Sequence, residues 1–167
     1  MKHLFLTGAI QTGKTTAVER FLAQSGLAAD GVLTRFDSRG ESRTLFIHRF
    51  GGAPDEKQAV ARMSPELFEV YPEVFDGFGA ELLRGCGRRE LIILDELGVM
   101  EERAPAFKAE VFRLLGGTVP VLGVLKLADC PFLDAVRGSE NVRMITVTLE
   151  NRDAVPELIA AHFAEKA

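Results

Sequence analysis

The chain is poor in the features that announce a membrane, a metal–thiolate site or a nucleic-acid partner. Its 167 residues hold two cysteines. Cys86 and Cys130 are far apart, with no C-x-x-C or His/Cys ligand spacing, so two reduced thiols are expected instead of a disulfide or a metal site. No apolar run approaches the roughly 20 residues of a membrane span. The run Leu4–Leu6 is too short for the core of a signal peptide. Neither sign of charge dominates, with 20 Lys and Arg against 24 Asp and Glu and a net charge of -4, so no basic face invites nucleic acid. Repeats and low-complexity tracts are missing too. These absences predict one domain over residues 1–167, cytoplasmic, with no membrane and no nucleic-acid partner.

Strand and helix signals alternate along the chain. Leu4–Leu6 meets Gly8, the pattern of a buried strand feeding a glycine turn. From Lys14 to Ser25, Val18, Phe21 and Leu22 fall at helical spacing, and Gly26 supplies the stop. Gly31–Phe36 and Thr44–Phe50 read as strands flanking the turn-rich Asp37-Ser38-Arg39-Gly40-Glu41, hence a β-hairpin. Residues 51–62 carry Gly-Gly and Pro among polar residues and read as a loop. Val74, Phe78 and Leu82 after Pro72 predict a helix closed by Gly85 and Gly87, weakened by Gly77 and Gly79. Leu91-Ile92-Ile93-Leu94 has no alternation, which suits a parallel strand covered on both faces, with Asp95 and Glu96 at its C-terminal end. Pro105 opens a helix with Phe107, Val111, Leu114 and Leu115 on one face and Gly116-Gly117 after it. Val119–Leu125 and Val142–Val147 are further strands. A last helix from about Asp153 turns Val155, Leu158, Ile159, His162 and Phe163 inward. The alternation predicts an α/β fold of three layers, with a mainly parallel central sheet and a β-hairpin insertion.

Gly8-Ala9-Ile10-Gln11-Thr12-Gly13-Lys14-Thr15 fits G-x-x-x-x-G-K-[ST] between that first strand and helix. A loop wrapped around phosphates must expose consecutive backbone N–H groups, and Gly8 and Gly13 tolerate the angles and the close approach this needs. The helix N-terminus behind it adds unpaired donors and partial positive charge. Lys14 is expected at the exposed mouth of the loop against the terminal phosphates, the Thr15 hydroxyl on Mg2+, and Thr16 on a more internal phosphate. Asp95, ending a buried apolar strand, is the second expected magnesium residue. Glu96, directly after it, is expected to orient or deprotonate water, which favours hydrolysis over transfer to an acceptor.

These residues resemble a small nucleoside-triphosphatase family whose members include thermophilic bacterial enzymes and a human cancer-related homologue. The resemblance rests on Gly13-Lys14-Thr15-Thr16, on Leu94-Asp95-Glu96-Leu97-Gly98-Val99-Met100-Glu101 and on Glu150-Asn151-Arg152-Asp153. It implies a RecA-like P-loop core and slow, magnesium-dependent hydrolysis of ATP, GTP and other nucleoside triphosphates with little base preference. It further implies that Gly98, Met100 and Glu101 line the nucleotide site, and that Asn151-Arg152 approaches the base or caps the last helix. The chain departs from the family pattern at Ile10, Gln11 and Thr12, where Pro and extra Gly are usual, and at Glu102-Arg103-Ala104-Pro105.

Two other functions share these motifs: a small-molecule or nucleotide kinase, and a nucleotide-dependent switch or adaptor with a protein partner. Arg35, Arg43, Arg103, Arg137 and Arg143 are all candidates for a phosphate-contacting arginine, and the sequence does not rank them. Lys126, following the apolar run Val121–Leu125, is expected at the ligand-bearing ends of the strands.

Overall fold

A computed structural model describes residues 2–164. Eight strands form one sheet: β1 (His3–Thr7), β2 (Ala29–Arg39), β3 (Ser42–Arg49), β4 (Lys57–Ser64), β5 (Leu67–Val70), β6 (Leu91–Leu97), β7 (Val121–Leu125) and β8 (Val142–Thr146). Their order across the sheet is β5-β4-β3-β2-β6-β7-β1-β8. The strands from β2 to β8 in that order pair parallel, and β3, β4 and β5 extend the sheet antiparallel from β2. The predicted α/β sheet is therefore present, and the predicted hairpin is half of a larger extension.

Alternation along each strand splits the core into two halves. On one face Leu4, Leu6, Ile93, Leu122 and Val124 pack with Val18 and Phe21 of α1 (Lys14–Ser25) and Val155 and Ile159 of α6 (Val155–Ala164). On the other, Phe5, Ile92, Leu94, Val121 and Leu125 pack with helices on the opposite side. Those helices are α2 (Pro72–Val74), a π-helical turn (Phe75–Gly79) and α3 (Ala80–Arg84) in one run, then α4 (Pro105–Leu115) and α5 (Pro131–Arg137). Gly123 lets the sheet accept Phe5, because a Cβ there would lie 2.1 Å from the Phe5 ring.

Three expectations need correction. Residues 57–62 of the expected loop are strand: β4 pairs with β3, and β4 pairs with β5 in turn. Val60 and Ala61 at its centre are fully buried. Asp37, Ser38 and Arg39, read as turn, pair with β3, and the turn is only Gly40-Glu41, with Gly40 at φ 60. Leu158 is exposed, since Val155, Ile159 and His162 occupy the buried stripe of α6 and Leu158 lies on its rim. The glycines that weaken the helix after Pro72 fall in the π-helical turn, where Gly79 lets Ile47 and Phe107 approach.

Candidate active site

β1, β6 and β7 deliver the site at their C-terminal ends, with β7 between the other two. β1 runs into the glycine loop, and α1 leaves it. Gly8 has φ +137, and a Cβ on it would lie 2.3 Å from the Val147 carbonyl oxygen, so only glycine fits this crossing. Gly13 has φ +95 at the N-cap of α1, and Gln11 is also left-handed at φ 62. Thr12 Oγ1 ties the loop by donating to the Ala9 carbonyl at 3.0 Å.

Lys14 does not stand at an exposed mouth. It is 8% exposed, and its Nζ folds back to donate to the Gly8 carbonyl at 2.9 Å and the Ala9 carbonyl at 2.6 Å. An ammonium withdrawn from water takes the best acceptors within reach, and here these are the loop's own carbonyls. Burial pulls its pKa down, while Glu96 and Asp95 act the other way.

The Thr15 hydroxyl lies 3.5 Å from Asp95 Oδ1, although the two residues are 80 apart in sequence. Asp95 is 3% exposed, and its other oxygen, Oδ2, accepts from Arg35 Nη2 at 2.8 Å. Of the five candidate arginines, Arg35 is the one seen paired with Asp95. Arg137 instead braces the turn after β7, donating to the Lys126 and Ala128 carbonyls, and Arg43 lies over the Phe36 ring.

Glu96 is half-buried beside these groups. Burial raises its carboxyl pKa, Lys126 and Lys14 oppose that rise, and Asp95 adds to it. Lys126 lies against Gly98, its Cδ 3.6 Å from where a Cβ on that glycine would sit, and its N–H bonds the Leu97 carbonyl at 2.9 Å.

Gly98, Met100 and Glu101 sit in the turn after β6, of which Val99–Arg103 is a 3-10 helix. Glu101 faces inward at 3% exposed, and its Oε2 accepts the Gly98 N–H at 3.1 Å, so it shapes the turn beneath the site. Burial pushes its carboxyl up to about 7, against the pull of the backbone N–H bonds and with Glu96 adding to the rise. Met100 packs against the core. Ala9, Ile10, Gln11 and Thr16 are exposed on the loop and first turn of α1.

Asn151 neither caps α6 nor reaches outward. Its Oδ1 accepts the Thr148 N–H at 2.8 Å and its Nδ2 donates to the Thr146 carbonyl at 2.9 Å, fastening the turn after β8. Arg152, from the same turn, lies against Gly13. Thr34 belongs to no motif in the sequence, yet its hydroxyl meets the Glu96 backbone.

The oxygens of Thr15 and Asp95 fit magnesium. Mg2+ takes hard oxygen ligands, usually one or two carboxylates, and completes its shell with water and substrate phosphate. No cluster of three His, Cys, Asp or Glu side chains that could hold a metal occurs among the described residues. No helix among them is long and apolar enough to cross a membrane.

The chain is similar to known proteins over nearly its whole length. The nucleoside-triphosphatase THEP1 of Thermofilum pendens is 29% identical, covering 98% of this chain and 96% of that protein. The human cancer-related nucleoside-triphosphatase is 27% identical, covering 95% of each chain. The crystal structure of THEP1 from the hyperthermophile Aquifex aeolicus superposes with a TM-score of 0.75 at 26% identity, over 94% of this chain and 96% of that one. The NTPase family model matches residues 3–160, so the chain belongs to the NTPase family, and its reaction is hydrolysis of nucleoside triphosphates.

Proposed function

We propose that this hydrolysis is slow and magnesium-dependent, takes ATP, GTP and other nucleoside triphosphates with little base preference, and runs in the site bounded by Gly8–Thr16, Asp95, Glu96 and Lys126. The observation that carries the reading is the 3.5 Å approach of Thr15 Oγ1 to Asp95 Oδ1 at the foot of the glycine loop. Two hard oxygens there, beside a helix N-terminus, suit a metal-bound polyphosphate.

Each residue then has a task. The N–H groups of the loop and of Thr15 and Thr16 bind phosphate oxygens, and Gly8 and Gly13 supply the backbone angles. On binding, the Lys14 ammonium exchanges the Gly8 and Ala9 carbonyls for terminal phosphate oxygens, a stronger, charge-assisted contact. Thr15 and Asp95 would hold Mg2+, which when bound supplies charge neutralisation on the phosphates. Glu96 orients a water and takes its proton as the water oxygen bonds to the terminal phosphorus and the bond to the diphosphate breaks. Its raised pKa makes it a better base than a solvated carboxylate. Lys126 and the Gly98 turn border the terminal phosphate, and Glu101 supports that turn.

Weak base preference accords with a side chain of the loop. Ile10, on the loop, is 84% exposed, and its side chain has no donor or acceptor with which to read a base edge. The free thiols of Cys86 and Cys130 suit a reducing compartment, and we place the activity in the cytoplasm.

Phosphate release from a panel of nucleoside triphosphates, with and without magnesium and without any acceptor, tests the proposal. Release from purine and pyrimidine triphosphates at comparable rates is expected, and chelation should stop it. A single accepted base, or turnover in excess chelator, would contradict it.

A further inference from the structure

β2 and β6 stop pairing at the site. Their parallel ladder ends with Leu33 opposite Asp95. The β6–β7 ladder passes from Asp95 to Leu97 without pairing Glu96. Glu96 therefore lies outside both ladders, and its backbone N–H and C=O need partners from elsewhere. A single hydroxyl serves both: Thr34 Oγ1 accepts the Glu96 N–H at 3.2 Å and donates to the Glu96 carbonyl at 3.3 Å. One donor and two lone pairs on a hydroxyl permit this pairing.

The next residue of β2 takes Asp95. Arg35 Nη2 donates to Asp95 Oδ2 at 2.8 Å, and Nη1 donates to the Asp95 carbonyl at 3.2 Å and the Thr34 carbonyl at 2.9 Å. Asp95 Oδ1 is left turned toward Thr15. Two consecutive residues of β2, where that strand leaves the parallel sheet for the antiparallel extension, thus grip two consecutive residues of β6.

We infer that Thr34 and Arg35 are positioning residues for hydrolysis. Thr34 fixes the main chain that carries Glu96, and Arg35 fixes the Asp95 carboxylate so that Oδ1 faces Thr15. The inference rests on the roles proposed above for Asp95 and Glu96. Its two halves act on different quantities: Thr34 on turnover, Arg35 on the metal requirement. Lysine keeps the charge of Arg35 but lacks the planar fork that makes both bonds, so Arg35→Lys separates orientation from charge.

The test measures single-turnover hydrolysis, the affinity of a fluorescent triphosphate analogue in EDTA, and the magnesium midpoint for binding that analogue. Thr34→Val deletes both hydrogen bonds at nearly constant shape. Its single-turnover rate should fall about tenfold with analogue affinity kept within about twofold, and Thr34→Ser should recover most of the loss. In a Glu96→Gln background, Thr34→Val should have little further effect, because the group it positions no longer acts. Arg35→Lys should raise the magnesium midpoint about tenfold, the size typical of a lost partner to a metal ligand, and leave the EDTA affinity unchanged.

A Thr34→Val protein with the wild-type rate, or a loss that serine does not recover, overturns the Thr34 half. An unmoved magnesium midpoint in Arg35→Lys overturns the Arg35 half, and if turnover nonetheless falls, Arg35 touches the phosphates directly. Glu96→Gln and Asp95→Asn serve as references on the same preparations. If either leaves its own quantity unchanged, the reading of the site fails first, and the positioning role falls with it.

Discussion

Replacing Glu101 by glutamine changes how folding stability depends on pH, and the size of the change follows from where Glu101 sits. The carboxyl is 3% exposed under the turn after β6, and burial lifts its pKa from 4.5 to about 7. Between these values the unfolded chain has released the proton while the folded chain retains it. The folded state then binds more protons, so stability falls as pH rises through the window. Below about pH 4.5 the contribution is fully present, and above about pH 7 its loss is complete. At 1.36 kcal/mol per pH unit, the gap corresponds to about 3 kcal/mol. Glutamine has no proton to release and keeps an acceptor for the Gly98 N–H. Urea unfolding of both proteins between pH 4.5 and pH 8 measures the effect. The stability of wild type relative to Glu101→Gln should decline by about 3 kcal/mol across that range. A difference that stays flat would refute the assignment of a raised, buried carboxyl.

Lys14→Ala should weaken triphosphate binding roughly a hundredfold, the loss of about 3 kcal/mol in charge-assisted bonds, while far-ultraviolet circular dichroism stays that of the wild type. Equal affinity by titration calorimetry would count against an exchange from loop carbonyls to phosphate. Asp95→Asn should raise the magnesium concentration needed for half-maximal hydrolysis and lower the maximal rate together, because the role proposed for the carboxylate is to hold the metal. An unchanged magnesium titration would remove Asp95 from the metal site.

What the sequence disclosed was local or repeated. The helix Lys14–Ser25 is legible to the residue, because Gly13 and Gly26 bracket it with the left-handed angles its ends need. Leu91–Leu94 announces a covered strand, since every position there is apolar and, in the fold, buried. The glycine loop and Asp95 are visible for the same reason: each is a short pattern with a chemical need behind it.

What stayed hidden depends on pairing between distant segments. β4 reads as polar loop because it lies in the antiparallel extension, where few side chains are covered, and its strand character comes from hydrogen bonds to β3. α5 has only seven residues, and its first turn is held by Glu102, whose Oε2 accepts the Phe132 N–H at 2.9 Å from 30 residues away. The pairing of Arg35 with Asp95 follows from register. Arg35 meets Asp95 only because β2 runs beside β6 with Leu33 opposite Asp95, and no spacing within either strand encodes that alignment. An open mouth is the position the motif alone suggests for Lys14, and its turn back onto the Gly8 and Ala9 carbonyls satisfies a buried ammonium with the nearest acceptors, which spacing does not encode.

Glu96 is proposed to handle the attacking water in a site that Lys14, Thr15 and Asp95 prepare. Single-turnover hydrolysis by Glu96→Gln, with triphosphate affinity measured on the same preparation, tests it most directly. Glutamine keeps the size and reach of the side chain but removes the base. The rate should fall roughly a hundredfold to ten-thousandfold, about 3 to 5 kcal/mol in the barrier. Affinity should stay within a few-fold, so the variant traps bound triphosphate in the presence of magnesium. A variant that hydrolyses at more than about a third of the wild-type rate would contradict the account, because another group would then be handling the water.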